Sequence, residues 1–149
     1  MPRFSRLFRF PDANVWIALS FDGHEHYSVA SQWLSSLDVS ARLFFCRVTQ
    51  LSFLRLLTTE AVMSREGVLS QAEAWRAYDR WLENDRVEFL DEPSGLEPTF
   101  RALSNRAHPA PKDWADAYLA AFASAADLTL VSFDQGFRGK VKHLELLSV

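Results

Sequence analysis

The chain has 149 residues, of which 48% are hydrophobic and 13% aromatic, and a formal net charge of −3; this excludes intrinsic disorder and predicts a single domain over residues 1–149. The weak acidic excess shows no overall affinity for nucleic acid, although a local basic patch beside an acidic site can still hold a phosphate backbone. Cys46 is the only cysteine, so an internal disulfide and a Cys/His zinc site are excluded; Arg3, Arg6 and Arg9 precede no signal-peptide core, and no run reaches the roughly 20 apolar residues of a membrane helix, so a soluble cytoplasmic protein is expected.

Leu7 to Phe10 reads as a short strand. Asp12-Ala13-Asn14 then opens a helix through Val15, Trp16, Ala18 and Leu19, which Gly23 breaks. Tyr27, Ala30, Trp33, Leu34 and Leu37 recur at helical spacing and predict a second helix. The continuous apolar run Leu43-Phe44-Phe45-Cys46 suits a buried parallel strand. Thr49 is the predicted N-cap of a helix through Leu51, Phe53, Leu54 and Leu57. Ser70 caps another, with Glu73 placed for a capping box and Ala72, Trp75, Tyr78, Trp81 and Leu82 as its stripe. Val87 to Leu90 alternates like a strand, and Leu96 to Leu103 fits a short helix. Asn105 to Lys112, with Pro109 and Pro111, is a loop. An Ala-rich helix from Trp114 to Ala126 follows. After it come an apolar strand from Leu128 to Phe133, a turn at Gly136 and Gly139, and a last strand from Leu144 to Leu147. Strands alternating with helices predict an α/β fold, a parallel sheet of about five strands flanked by helices on both faces.

Three aspartates fall where this fold would gather them. Asp12 and Asp134 close apolar strands, and so reach the carboxyl edge of the sheet where open α/β folds place their sites. Asp116 sits near the start of the Ala-rich helix. Its neighbours Leu119, Ala120 and Ala123 make a face bound for the core, where a carboxylate needs a partner. Carboxylates gathered at one edge repel unless a cation neutralises them, and hard oxygen ligands suit Mg²⁺ or Mn²⁺. Taken singly, Asp12 is also a good N-cap and Asp134 a normal turn residue. Taken together, the three are best read as a metal site. Asn14 is placed to bond Asp12 or the helix start, and Ser132 to orient Asp134 or a water. Asp113 lies one helical turn before Asp116 and is read as a solvated first-turn carboxylate. His24 and His26 have poor spacing for one metal and are assigned surface or packing roles. The tryptophans fall mostly on helix stripes and are assigned to the core. Arg138, Lys140, Lys142 and His143 form a basic cluster that could contact RNA phosphates beside such a site.

Four stretches then resemble a known family. They are Pro11 to Trp16, Cys46 to Thr58, Trp114 to Ala123 and Ser132 to Phe137, in order and across essentially the whole chain. They look like the blocks of PIN-domain ribonucleases, and more narrowly of VapC-type toxins from toxin–antitoxin pairs. The resemblance implies a Mg²⁺- or Mn²⁺-dependent endoribonuclease with Asp12, Asp116 and Asp134 as its acidic cluster. It further implies an RNA substrate, a cognate antitoxin that blocks the site, and a homodimer. Many PIN domains carry a glutamate where this chain has Gln50, which removes one negative charge but leaves an amide able to accept from a water. Glu60 is out of phase with Gln50 on a continuous helix and is a poor substitute. Two alternatives stay open: a PIN-domain RNA-processing nuclease without a toxin role, and a catalytically silent PIN-like binding module.

Overall fold

A computed structural model describes residues 7–148; Arg3 and Arg6 lie outside them. Five strands, β1 (Phe8–Pro11), β2 (Arg42–Phe45), β3 (Val87–Phe89), β4 (Thr129–Ser132) and β5 (Leu144–Leu146), form one sheet in the order β3-β2-β1-β4-β5. Every pairing is parallel. The helices are α1 (Ala13–Ser20), α2 (Tyr27–Ser36), α3 (Arg47–Leu57), α4 (Glu60–Gly67), α5 (Gln71–Leu82), α6 (Leu96–Ser104) and α7 (Trp114–Ala126). This is the predicted α/β fold. Among the described residues no helix is long and apolar enough to cross a membrane.

The side-chain alternation of the strands builds two cores, one on each face. Leu43 and Phe45 of β2 point to the face covered by α1, α3 and α5, while Phe44 between them points to the other. Likewise Val131 joins the first core and Leu130 the second. Trp16 stacks on Phe45 at 4.0 Å in the first core, and Phe10 stacks on Phe122 at 4.8 Å in the second. Burial on both faces is what makes the strands continuous apolar runs. The consequence for function is geometric. With every strand parallel, β1, β2 and β4 deliver whatever follows them to one edge.

Several local expectations hold. Ser70 caps α5: its Oγ accepts from the Glu73 N–H at 3.1 Å, and the Glu73 carboxylate accepts from the Ser70 N–H at 3.0 Å. The stripe of α5 is phased differently, however. Ala74 and Tyr78 are buried and Ala77 and Trp81 pack beside them, whereas Ala72 and Leu82 are exposed. The tryptophans divide in the same way. Trp16 and Trp33 are core, but Trp75 is 48% and Trp114 57% exposed.

Thr49 is not the N-cap of α3. That helix starts at Arg47, with Cys46 at the cap position. The Thr49 hydroxyl reaches back instead to accept from the Cys46 N–H at 2.9 Å. A side chain in the third helical position that satisfies the cap amide does half the work of a capping box. The helix also stops at Leu57, where the hydroxyls of Thr58 and Thr59 donate to carbonyls of the last turn. Glu60 therefore opens a separate helix and is exposed. The Gly136/Gly139 turn contains a short 3₁₀ helix, Gln135–Phe137, and Gly139 takes a φ of +79° that favours glycine.

Candidate active site

Asp12 follows β1 directly. Its N–H donates to the Val131 carbonyl at 2.8 Å, so the ladder with β4 carries it to the sheet edge. Its Oδ1 accepts from the Ala13 N–H at 2.7 Å and caps α1. The capping role and the site role thus belong to one residue. Ser132, the fully buried last residue of β4, is the hub of the neighbourhood. Its Oγ donates to Asp12 Oδ2 at 3.1 Å. It accepts from the Asp134 N–H at 3.0 Å and from Asn14 Nδ2 at 3.4 Å. Asn14 Oδ1 is buried with no partner.

Asp134 starts the turn after β4. Its Oδ1 accepts from the Gly136 N–H at 2.8 Å. A Cβ at Gly136 would sit 3.0 Å from that same oxygen, so a side chain here would push the Asp134 carboxylate aside by a few tenths of an ångström. Asp116 comes from the first turn of α7, where the helix dipole favours a negative charge. It is half-buried, and its carboxylate has no hydrogen-bond or ion-pair partner among the described residues.

These three carboxylates feel one another. Burial pushes Asp12 up to about 6, against the pull of its bonds from Ala13 and Ser132; the charges of Asp116 and Asp134 push it further the same way. Burial also raises Asp116, with Asp134 next in importance, while Lys140 pulls it back down. Among the described residues no three His, Cys, Asp or Glu side chains close into a compact ligand set. The three aspartates form an open group instead, near enough for their charges to act on one another. The donor chemistry fits a hard divalent cation: carboxylate oxygens without full partners, plus an orphaned amide oxygen on Asn14.

Other candidates sit differently. Asp113 accepts from Lys140 Nζ at 2.9 Å and from Arg106 Nε at 3.2 Å. Lys140 above all holds its carboxyl below the usual range. It is thus a paired strut between the 105–113 loop and the turn after Asp134, not the solvated group its position predicts. Gln50 is buried, and its side chain bonds Arg47 and the Tyr78 hydroxyl; its Oε1 accepts from Arg47 Nη1 at 2.6 Å. The Arg47 guanidinium lies 4.7 Å over the Phe89 ring. His26 packs against Phe133 at 4.9 Å, and the His26 N–H donates to His24 Nδ1 at 3.0 Å, in keeping with packing roles. Of the basic cluster, Lys140 is spent on Asp113 and His143 lies 3.9 Å from Asp127, while Arg138 and Lys142 are exposed. The Arg106–Asp113–Lys140 strut and the contact of Gln50 with Tyr78 carry no periodic or motif signal, because each is a side-chain pairing across separate elements, whereas Arg47 and Gln50 stand at i,i+3 spacing on α3.

The PIN domain family matches residues 9–142. The chain belongs to the PIN-domain family. This PIN domain is 44% identical over 129 residues to ribonuclease VapC41 of Mycobacterium tuberculosis, a match that spans 85% of this chain and 88% of the relative. Among solved structures, VapBC2 of Rickettsia felis, bound to a DNA fragment from its promoter, superposes with a TM-score of 0.68 at 14% identity, covering 95% of this chain and 99% of that one. The sarcin–ricin loop cleaving toxin VapC20 of Mycobacterium tuberculosis gives 0.67 at 17% identity, covering 94% and 99%. Those two likenesses establish the PIN fold across nearly the whole chain. The sequence match to VapC41 relates it to a ribonuclease.

Proposed function

We propose that this PIN domain is a Mg²⁺- or Mn²⁺-dependent endoribonuclease and the toxin of a toxin–antitoxin pair. The observation that carries the reading is the unpartnered Asp116 carboxylate beside Asp12 and Asp134, in a chain 44% identical to a ribonuclease. Asp12, Asp116 and Asp134 would hold the cation. A divalent cation bound there supplies charge neutralisation, polarises the scissile phosphate and lowers the pKa of the attacking water.

The remaining chemistry falls to the chain's own groups. Ser132 fixes Asp12 Oδ2 by donating to it and fixes Asp134 through its backbone amide, so two acids are oriented by one buried hydroxyl. Asn14 Nδ2 donates to the same Ser132 hydroxyl, which ties it into the support of the acidic group. One of the three aspartates would double as the general base that takes the water's proton. Gln50 contributes by holding the Arg47 guanidinium, which follows β2 at the carboxyl edge of the sheet. The partner is an antitoxin, as in the VapBC assembly of Rickettsia felis; an arginine entering the acidic group would fit by paired hydrogen bonds.

Cleavage of total RNA with Mg²⁺, with Mn²⁺ and with EDTA tests the enzyme. Expression alone, and together with any antitoxin-sized reading frame found beside the gene, tests the toxin. Cleavage in EDTA would remove the metal from the reading, and unaffected growth without a partner would remove the toxin.

A further inference from the structure

Trp114 carries a large exposed indole two residues before Asp116, on the first turn of α7. At 1.5 Å of rise and about 100° of turn per residue, the two lie about 3 Å apart along the helix axis but leave opposite faces of it, so the indole stands outside the acidic group. The ring meets Phe100 of α6 edge-on at 6.3 Å, which braces it and leaves its remaining surface open. A cavity of about 650 Å³ opens against it, walled by Phe100, Arg101, Asn105 and Arg106. A second hollow of about 340 Å³ shares Trp114 and Arg106 and continues along the 105–113 loop.

The wall is mixed: an aromatic platform, two guanidinium groups, an amide and the Glu97 carboxylate that pairs with Arg101. A helix docking from a protein partner wants a longer apolar stripe than Phe100 and Trp114 provide. A nucleotide wants what is present, a ring to stack its base on and cations for its phosphate. The arginines are available for this. Arg101 pairs only with Glu97, both ends largely exposed, and such a pair is weakly held. Arg106 donates through Nε to Asp113, which leaves its terminal nitrogens toward the hollow's rim. Asp113 in turn holds Lys140, so a line of cations runs from the cavity to the aspartates.

We infer that Trp114, with Arg101 and Arg106, forms a nucleotide subsite outside the acidic group, in which a base flanking the scissile phosphate of single-stranded RNA stacks on the indole. The inference rests on the ribonuclease reading and names where its substrate is gripped. Binding of a fluorescein-labelled, mixed-sequence oligoribonucleotide tests it, in the full chain carrying Asp116→Asn to prevent turnover. Adding Trp114→Ala should weaken binding roughly tenfold or more, the usual consequence of losing one stacked base. Trp114→Phe should recover most of it. The sedimentation behaviour should not change, and the melting temperature should fall only slightly, because the indole is more than half exposed and gives up only its edge contact with Phe100. Equal affinity with and without Trp114→Ala, while the parent still cleaves RNA in Mn²⁺, overturns the subsite alone. Weakened binding that comes with a change of oligomeric state also overturns it and makes this face an interface between copies. A parent that neither cleaves nor binds RNA overturns the ribonuclease reading and the subsite together.

Discussion

Asp12→Asn separates the cost of the buried charge from the value of its hydrogen bonds. In the metal-free protein, burial lifts Asp12 from an ordinary 3.8 to about 6. A shift of that size opposes folding of the ionised form by about 3 kcal/mol, at about 1.4 kcal/mol per unit. The asparagine oxygen can still accept from the Ala13 N–H that Asp12 Oδ1 now takes. Its amide nitrogen, however, would face a Ser132 hydroxyl that already accepts from Asn14 and Asp134 and would lose its own acceptor. One lost hydrogen bond costs about 1 kcal/mol. The net gain near pH 8 is then about 2 kcal/mol, or about 4–8 °C in melting temperature for a chain of this size. The sign depends on pH. A carboxyl raised in the folded state contributes stability fully below its unfolded value of 3.8 and loses it as pH rises through about 6. Near pH 4 the parent's Asp12 is protonated, so the gain should vanish and the variant should melt slightly lower. Calorimetry in EDTA at both pH values provides the test. A stabilisation of equal size at both, or none near pH 8, would refute the assignment of Asp12 as a desolvated member of an acidic group.

Gln50→Glu should place its carboxylate against Arg47, which already donates to this position. The shift in melting temperature caused by Mn²⁺ should therefore match the parent's, and a larger shift would bring residue 50 into the metal site. Asp113→Asn should release Lys140 and Arg106 and lower the melting temperature by a few degrees near pH 7. Because the Asp113 carboxyl is held below its ordinary value, that stability is present above the ordinary value and is lost as pH falls past it, so the two proteins should converge in acid; a difference that persists there would contradict the ion-pair account.

Much of this was legible in the chain because it depends on local patterns. The runs Leu43-Phe44-Phe45-Cys46 and Leu128 to Phe133 are apolar on both faces, which only a sheet covered on both sides allows. That property alone sends Asp12 and Asp134 to one edge. The Ser70/Glu73 box is a matter of spacing within four residues. What stayed hidden depends on partners distant in sequence. The cap of α3 passed to Cys46 because Thr49 bonds backward, and a threonine reads the same at either position. Lys140 and Asp113 lie 27 residues apart, and neither shows in sequence that it meets the other. Trp75 and Trp114 look like core residues by composition, but they lie on helix faces that the neighbouring elements leave uncovered.

Cleavage of RNA by the parent and by Asp116→Asn, each with Mn²⁺ and with EDTA, tests the central claim most directly. Asp116 has no partner to lose, so its amide variant should fold as the parent does and differ only in charge. The parent should cleave in Mn²⁺ and stop in EDTA, and the variant should fall by a hundredfold or more in Mn²⁺, on the order expected when charge stabilisation of the transition state is removed. Full activity of Asp116→Asn, or cleavage by the parent that EDTA leaves untouched, would contradict the account.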